Sequence, residues 1–176
     1  AGVAKVALTD RLQFLDPASS SRFIELNGNP PRSGYNVLAS RALEWFAVFS
    51  FDPSGYVRDD ERLDPDQLLE TLKGSNESSI AERRRLALPI LRLDGWAVSP
   101  HYDVQTRRLE WGTRLVDENG EITVNYTIRI LGRSGVMRAT LVSDPANLNR
   151  DIAQFRAALR GFDFISGERY TEFRQG

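Results

Sequence analysis

The sequence predicts an α+β domain, an antiparallel sheet with two or three helices laid on it. Three observations lead there. Between Arg107 and Val142, three alternating segments are separated by short turns, the pattern of a β-meander. Leu148, Ile152, Phe155 and Leu159 recur at helical spacing, which places them on one face of an amphipathic helix. Trp45 to Phe51 is apolar at both alternating sets of positions, as expected of a strand covered on both faces.

Taken in order, Ala4 to Phe14 reads as one or two short strands around a Thr9-Asp10 turn. Ser19 to Ser21 offer caps for a short helix through Phe23, Ile24 and Leu26, ended by Gly28 and Pro30-Pro31,. A strand over Tyr35 to Leu38 precedes Trp45 to Phe51, and Pro53-Ser54-Gly55 turns the chain into Tyr56-Val57,. Asp64-Pro65 pairs a capping acid with a first-turn proline,. The helix it starts carries Leu68, Leu69 and Leu72, and is expected to break near Gly74-Ser75 before ending at Pro89,.

Ile90 to Val98 and Arg107 to Val116 are the next strands. Asp117-Glu118-Asn119-Gly120 closes a hairpin onto Ile122 to Leu131, because Asn-Gly readily adopts the positive φ angles that tight hairpin turns require,. Gly132 to Gly135 leads into Val136 to Val142. The alternation predicts one covered and one more solvated side. Asp144-Pro145 starts the last helix, and Gly161 is expected at its left-handed stop,. A strand over Phe162 to Ile165 and a polar aromatic tail with Tyr170 and Phe173 complete the chain. No internal repeat or linker divides residues 1–176, so a single domain is expected.

At 176 residues and 19.9 kDa the chain can bury a full core without staples,. With 23 basic and 24 acidic residues its net charge is -1, which argues against nucleic-acid binding. The absence of cysteine removes disulfides, thiolate nucleophiles and cysteine-bound metals,. With one histidine, His101, no site can draw two imidazoles from one chain. No apolar stretch is long enough to span a bilayer, and Ala1 to Ala7 lacks the basic start and apolar run of a signal peptide,.

Several clusters can be weighed for chemistry. His101 sits in Ser99-Pro100-His101-Tyr102-Asp103, but no Gly-x-Ser-x-Gly elbow supplies a nucleophile, and a histidine at a strand end near a turn explains it more simply,. Asp59-Asp60-Glu61, with Asp64 and Asp66 nearby, lacks the spacing of a calcium loop, and a solvated loop plus a helix cap accounts for it,. Asp117-x-Asn119-x-Glu121 is a hairpin turn without the remaining calcium ligands,. Arg83-Arg84-Arg85 fans around a helix, so a solvated face is expected there rather than one phosphate grip,. The aromatics Trp45, Trp96, Trp111, Tyr56, Tyr102 and Tyr126 lie in or beside strands and suit a core as well as a ligand groove,. No metal site and no cofactor are expected.

An ordered set of motifs carries a resemblance. Glu44-Trp45-Phe46-Ala47-Val48, Gly55-Tyr56-Val57-Arg58-Asp59-Asp60, Asp94-Gly95-Trp96, Pro100-His101-Tyr102-Asp103 and Leu109-Glu110-Trp111 occur in that order. Val124-Asn125-Tyr126, the run Arg129 to Val136, and Gly167-Glu168-Arg169-Tyr170-Thr171-Glu172-Phe173 follow. Over Val6 to Phe173 the chain resembles the bacterial domain-of-unknown-function family 2167, described as predicted membrane-anchored proteins. The resemblance implies an extracytoplasmic, periplasmic domain of a membrane-tethered parent, and brings no activity, cofactor or catalytic residue with it. A further likeness, of architecture, is to the PsbP/Mog-one-like α/β sandwich.

These observations together lead to the expectation of a non-enzymatic interaction or assembly module with a protein partner at or near the membrane and no nucleic acid. The expected binding surface is the turn side carrying Tyr56, Arg58, Asp59, Asp60, His101 and Tyr102. The alternatives are a cysteine-free hydrolase using His101 and nearby carboxylates, or a small-ligand sensor with an enclosed aromatic-lined cavity.

Overall fold

The computed structural model describes residues 2–60 and 63–175. The strands are β1 (Ala4–Val6), β2 (Leu12–Phe14), β3 (Asn36–Ser40), β4 (Phe46–Asp52), β5 (Arg92–Asp103), β6 (Arg108–Val116), β7 (Ile122–Leu131), β8 (Val136–Ser143) and β9 (Phe162–Phe164). The helices are α1 (Pro17–Leu26), α2 (Pro65–Arg85) and α3 (Leu148–Leu159). Seven strands form one antiparallel sheet in the order β2-β3-β4-β8-β7-β6-β5, and β1 pairs with β9 in a separate two-stranded sheet. The α+β expectation holds.

The strand order explains how the turns are gathered. The chain leaves β4 in mid-sheet, crosses through α2 to the far edge at β5, and then meanders back until β8 pairs with β4. The end of β4, the β5–β6 turn and the β7–β8 turn therefore share one end of the sheet, since Asp52 pairs with Val136, and Arg108 with Ile130.

One face of the sheet carries Leu38, Ala47, Phe49, Tyr126, Ile128, Ala139 and Leu141, which pack with Phe155 and Leu159 of α3 and with Phe162 and Phe164 of β9. On the other face α1 covers Val37 and Ala39 with Ile24, and Phe23 meets Phe46 edge to face at 5.0 Å. Trp111, on the opposite side of β6 from Glu110, is also buried. The rest of that side of the meander is more open, with Thr123, Asn125, Arg129 and Val142 half-buried and Arg138 exposed, as the alternation predicts.

Other expectations are corrected locally. Helix α1 starts earlier than the serines, at Pro17, with Asp16 as its cap: its side chain accepts from the Ser19 amide at 2.9 Å. Helix α2 runs unbroken through Gly74, capped by Asp64, which accepts from the amides of Asp66 and Gln67. Arg83 is not on a solvated face. It is buried, donating to the carbonyls of Gly28 (3.1 Å) and Pro89 (3.0 Å) and to Asn29 Oδ1 (2.6 Å), and so ties α2 to the end of α1. Burial pushes its guanidinium below the usual arginine range,. Gly161 is outside the left-handed region; it is small because a Cβ there would lie 2.9 Å from the Ala7 carbonyl. His101 lies inside β5, which extends to Asp103 rather than ending at Val98.

Two glycines give opposite predictions. A Cβ on Gly74 meets nothing within 4 Å, so Gly74→Ala should stabilise the domain by up to about 1 kcal/mol through helix propensity. A Cβ on Gly135 would sit 2.1 Å from the Asp52 carbonyl oxygen, which belongs to the neighbouring strand's backbone. Gly135→Ala should therefore cost about 2 kcal/mol by overpacking. Urea unfolding of both variants measures both signs.

Candidate functional site

The gathered end of the sheet holds most of the residues expected to form a surface. Tyr56, on the segment after β4, stacks on Phe173 at 3.8 Å and on Tyr170 at 4.8 Å between ring centroids. Arg107, in the β5–β6 turn, lies over the Tyr170 ring at 5.1 Å and reaches Asp59 at 3.5 Å. The Tyr102 hydroxyl also donates to Asp59 at 3.5 Å. Partial burial, reinforced by the Asp59 carboxylate, pushes the Tyr102 hydroxyl above the usual phenol range, so it stays a donor,. Three separate chain segments are thus joined around one carboxylate and one aromatic stack.

The six expected residues divide between two places. Tyr56, Asp59 and Tyr102 meet in this cluster, and Arg58 pairs with Asp60 on its exposed margin. His101 turns to the opposite face of β5, because it is aligned with Glu110 while Tyr102 is aligned with Leu109,. Glu61, part of the acidic run, lies outside the described residues. Arg107, Tyr170 and Phe173 are additions to the expected surface. The available signal is their residue types, arginine and aromatics in a turn and a tail, but their meeting depends on long-range topology.

The face that His101 joins contains a buried polar cluster. Glu110 is 6% exposed, and its Oε2 accepts from Arg156 Nη2 at 2.7 Å, from Arg156 Nε at 3.2 Å and from the Tyr126 hydroxyl. His101 Nε2 lies 3.4 Å from the same oxygen. Arg156 Nη2 also donates to the Tyr126 hydroxyl at 2.7 Å. Burial, then the Glu110 carboxylate, pushes the fully buried Tyr126 hydroxyl far above its ordinary range,. Beside it Arg108 donates to the Leu159 carbonyl at 3.2 Å, while its buried Nε finds no partner. Burial lowers its pKa.

This cluster binds α3 to the sheet, and its chemistry is self-contained. The carboxylate is neutralised by Arg156, and the Tyr126 proton is directed into it. His101 Nδ1 lies 3.4 Å from the Ser99 backbone carbonyl, and among the described residues no serine or threonine hydroxyl bonds the ring. Among the described residues no three histidine, aspartate or glutamate side chains cluster as metal ligands.

A groove of about 450 Å3 opens elsewhere, between β1 and the β2–β4 side of the sheet, lined by Phe14, Phe49, Phe51, Met137 and Phe162. It is open to solvent along one side rather than enclosed. No helix among the described residues is long and apolar enough to cross a membrane.

Comparison with solved structures finds the same architecture in the cyanobacterial PsbP (CyanoP) from Synechocystis sp. PCC 6803. The match covers 92% of this chain and 86% of that one, with a TM-score of 0.51 and 7% sequence identity. At that identity the likeness is one of fold, and it agrees with the PsbP-like sandwich expected from the sequence. No curated protein matches significantly. The family model described as "Protein of unknown function (DUF2167)" matches residues 1–176, and the chain belongs to that family.

Proposed function

We propose that this chain is a non-catalytic protein-interaction module, carried on the periplasmic face of the membrane by its full-length parent, and that it binds its partner through the turn end of the sheet. The observation that carries this reading is the composition of that end. Tyr102 and Phe173 are 38% and 39% exposed, and Val104 in the β5–β6 turn is 77% exposed. Arg58, Asp60, Asp59 and Arg107 surround them as partly exposed charges. Aromatic residues and arginine with a charged rim make up the usual energetic centre of a protein interface. The membrane-anchored character of the resembling family supports the location.

The test is a pull-down from native membranes with the full-length tagged protein. The variant carries Tyr102→Ser, Arg107→Ala and Phe173→Ser together, and circular dichroism establishes that it is folded. A partner recovered with the wild type should fall at least tenfold with the variant, as expected when interface anchors are removed. Unchanged recovery sinks the assignment of this surface.

A further inference from the structure

The sequence holds two Asn-Gly pairs, Asn27-Gly28 and Asn119-Gly120. Such a pair is prone to cyclise, because without a Cβ the glycine amide nitrogen readily reaches the asparagine side-chain carbonyl carbon. By local measures the two pairs match. Both asparagines are exposed, and both glycines are left-handed, with φ of 73° and 83°. A Cβ on either glycine would meet nothing within 4 Å. Their tethers differ. Asn27 Nδ2 donates to the Phe23 carbonyl at 2.8 Å, and the Gly28 amide to the Glu25 carbonyl at 2.9 Å. The Asn27 carbonyl accepts from Asn29 Nδ2 at 3.2 Å, and the Gly28 carbonyl from buried Arg83 at 3.1 Å. The Asn27 side chain and both peptide units of Gly28 are thus held. At the second pair, nothing among the described residues hydrogen-bonds the Asn119 side chain. The Asn119 amide donates to Asp117 Oδ1 at 2.8 Å, but that nitrogen takes no part in ring closure. Gly120 is restrained by its own amide, which donates to the Asp117 carbonyl at 3.2 Å across an exposed turn.

We propose that Asn119 is a site of spontaneous deamidation in the folded protein, and that the fold protects Asn27. The co-reactant is water. The Gly120 amide nitrogen gives its proton to solvent and attacks Cγ of Asn119. The new N–Cγ bond closes a succinimide ring as the Cγ–Nδ2 bond breaks, and Nδ2 leaves as ammonia with a proton from solvent. Water then opens the imide at either carbonyl. Opening at Cγ restores the main chain and leaves aspartate at this position. Opening at the α-carbonyl routes the main chain through the side chain, as isoaspartate. The net change is one water consumed and one ammonia released, with nothing oxidised or reduced. Either product adds a negative charge beside Asp117, Glu118 and Glu121. Isoaspartate also inserts a methylene into the turn that the Asp117 amide closes by donating to the Glu121 carbonyl at 3.0 Å. It therefore strains the β6–β7 hairpin. That hairpin follows Val116 and precedes Ile122, at the end of the sheet away from Tyr102 and Arg107, so the site stands independently of the proposed interface.

Peptide mass spectrometry of the whole chain, incubated in mildly alkaline buffer both folded and in urea, tests this. In urea the two asparagines should convert at similar rates, since each is followed by glycine. In the folded chain Asn119 should convert at least tenfold faster than Asn27, the ratio given by a barrier difference of about 1.4 kcal/mol. One net hydrogen bond is worth about that much, and Asn27 with Gly28 must loosen several. Asn119→Gln should abolish the mass gain at this turn, because the longer side chain closes its larger ring far more slowly. The aged wild type should also unfold at lower urea than Asn119→Asp, which carries the charge without the inserted methylene. Equal rates at the two asparagines in the folded chain, or faster conversion at Asn27, overturn the proposal. So does an unchanged Asn119 in the folded chain while the urea sample converts at both positions. An aged chain as stable as Asn119→Asp overturns the strain assigned to the hairpin.

Discussion

Phe155→Ala is expected to destabilise the domain by about 3–5 kcal/mol, the range for truncating a buried phenylalanine. Phe155 is fully buried at the centre of α3, edge to face with Trp45 at 6.0 Å and packed against the sheet. Truncation removes the contact area and leaves a cavity that a helix resting on strands cannot fill by collapse. Trp45 is held in place from its other end by its indole N–H, which donates to Gln154 at 2.7 Å, so it is poorly able to swing into the space. Urea unfolding followed by tryptophan fluorescence measures the loss. A cost under about 1 kcal/mol would place the main packing elsewhere.

The second large effect is at Arg156. Arg156→Ala should cost about 3 kcal/mol, because it leaves the buried Glu110 carboxylate without the guanidinium that hydrogen-bonds it,. The figure lies at the low end for broken buried pairs, since the Arg156 side chain is itself 47% exposed. The informative experiment is the pair. Glu110→Leu with Arg156→Leu should recover most of that loss, because the buried charge and its desolvation disappear together. If the double variant is as unstable as the single one, the cluster's role is not charge compensation. Binding at the turn end should survive in the double variant, since His101 and Glu110 lie on the other face of β5 from Tyr102.

The same cluster shows where reading the sequence stops. Alternation from Arg107 to Val142 makes the meander legible, and Asn119-Gly120 marks its first hairpin, because both signals are local. The spacing of Leu148, Ile152, Phe155 and Leu159 is likewise local, and α3 buries those positions or nearly so. Glu110 follows a different logic. Its strand alternates Leu109, Trp111 and Thr113 against Glu110 and Gly112, so the acidic row reads as the solvated one. It is buried because Arg156, 46 residues later, reaches down from α3 to neutralise it. Arg83 is hidden for the same reason, since its partners at Gly28 and Asn29 come from another part of the chain. The turn end is half legible: Tyr56, Asp59 and Tyr102 can be named from their turns, while Arg107, Tyr170 and Phe173 join them only through the return of β8 to β4. The pairing of β1 with β9 cannot be read at all, because it joins the two ends of the chain.

The most direct test of the interaction reading is site-specific photocrosslinking in native membranes. A benzoylphenylalanine placed in the full-length protein in place of Tyr102 should give discrete adducts of defined mass on irradiation. The same group in place of Arg84, exposed on α2, should give none of them. Adducts specific to the first position establish that a partner sits on the turn end of the sheet. Identical adducts from both positions, or none from the first while the protein is folded and membrane-bound, would contradict the account.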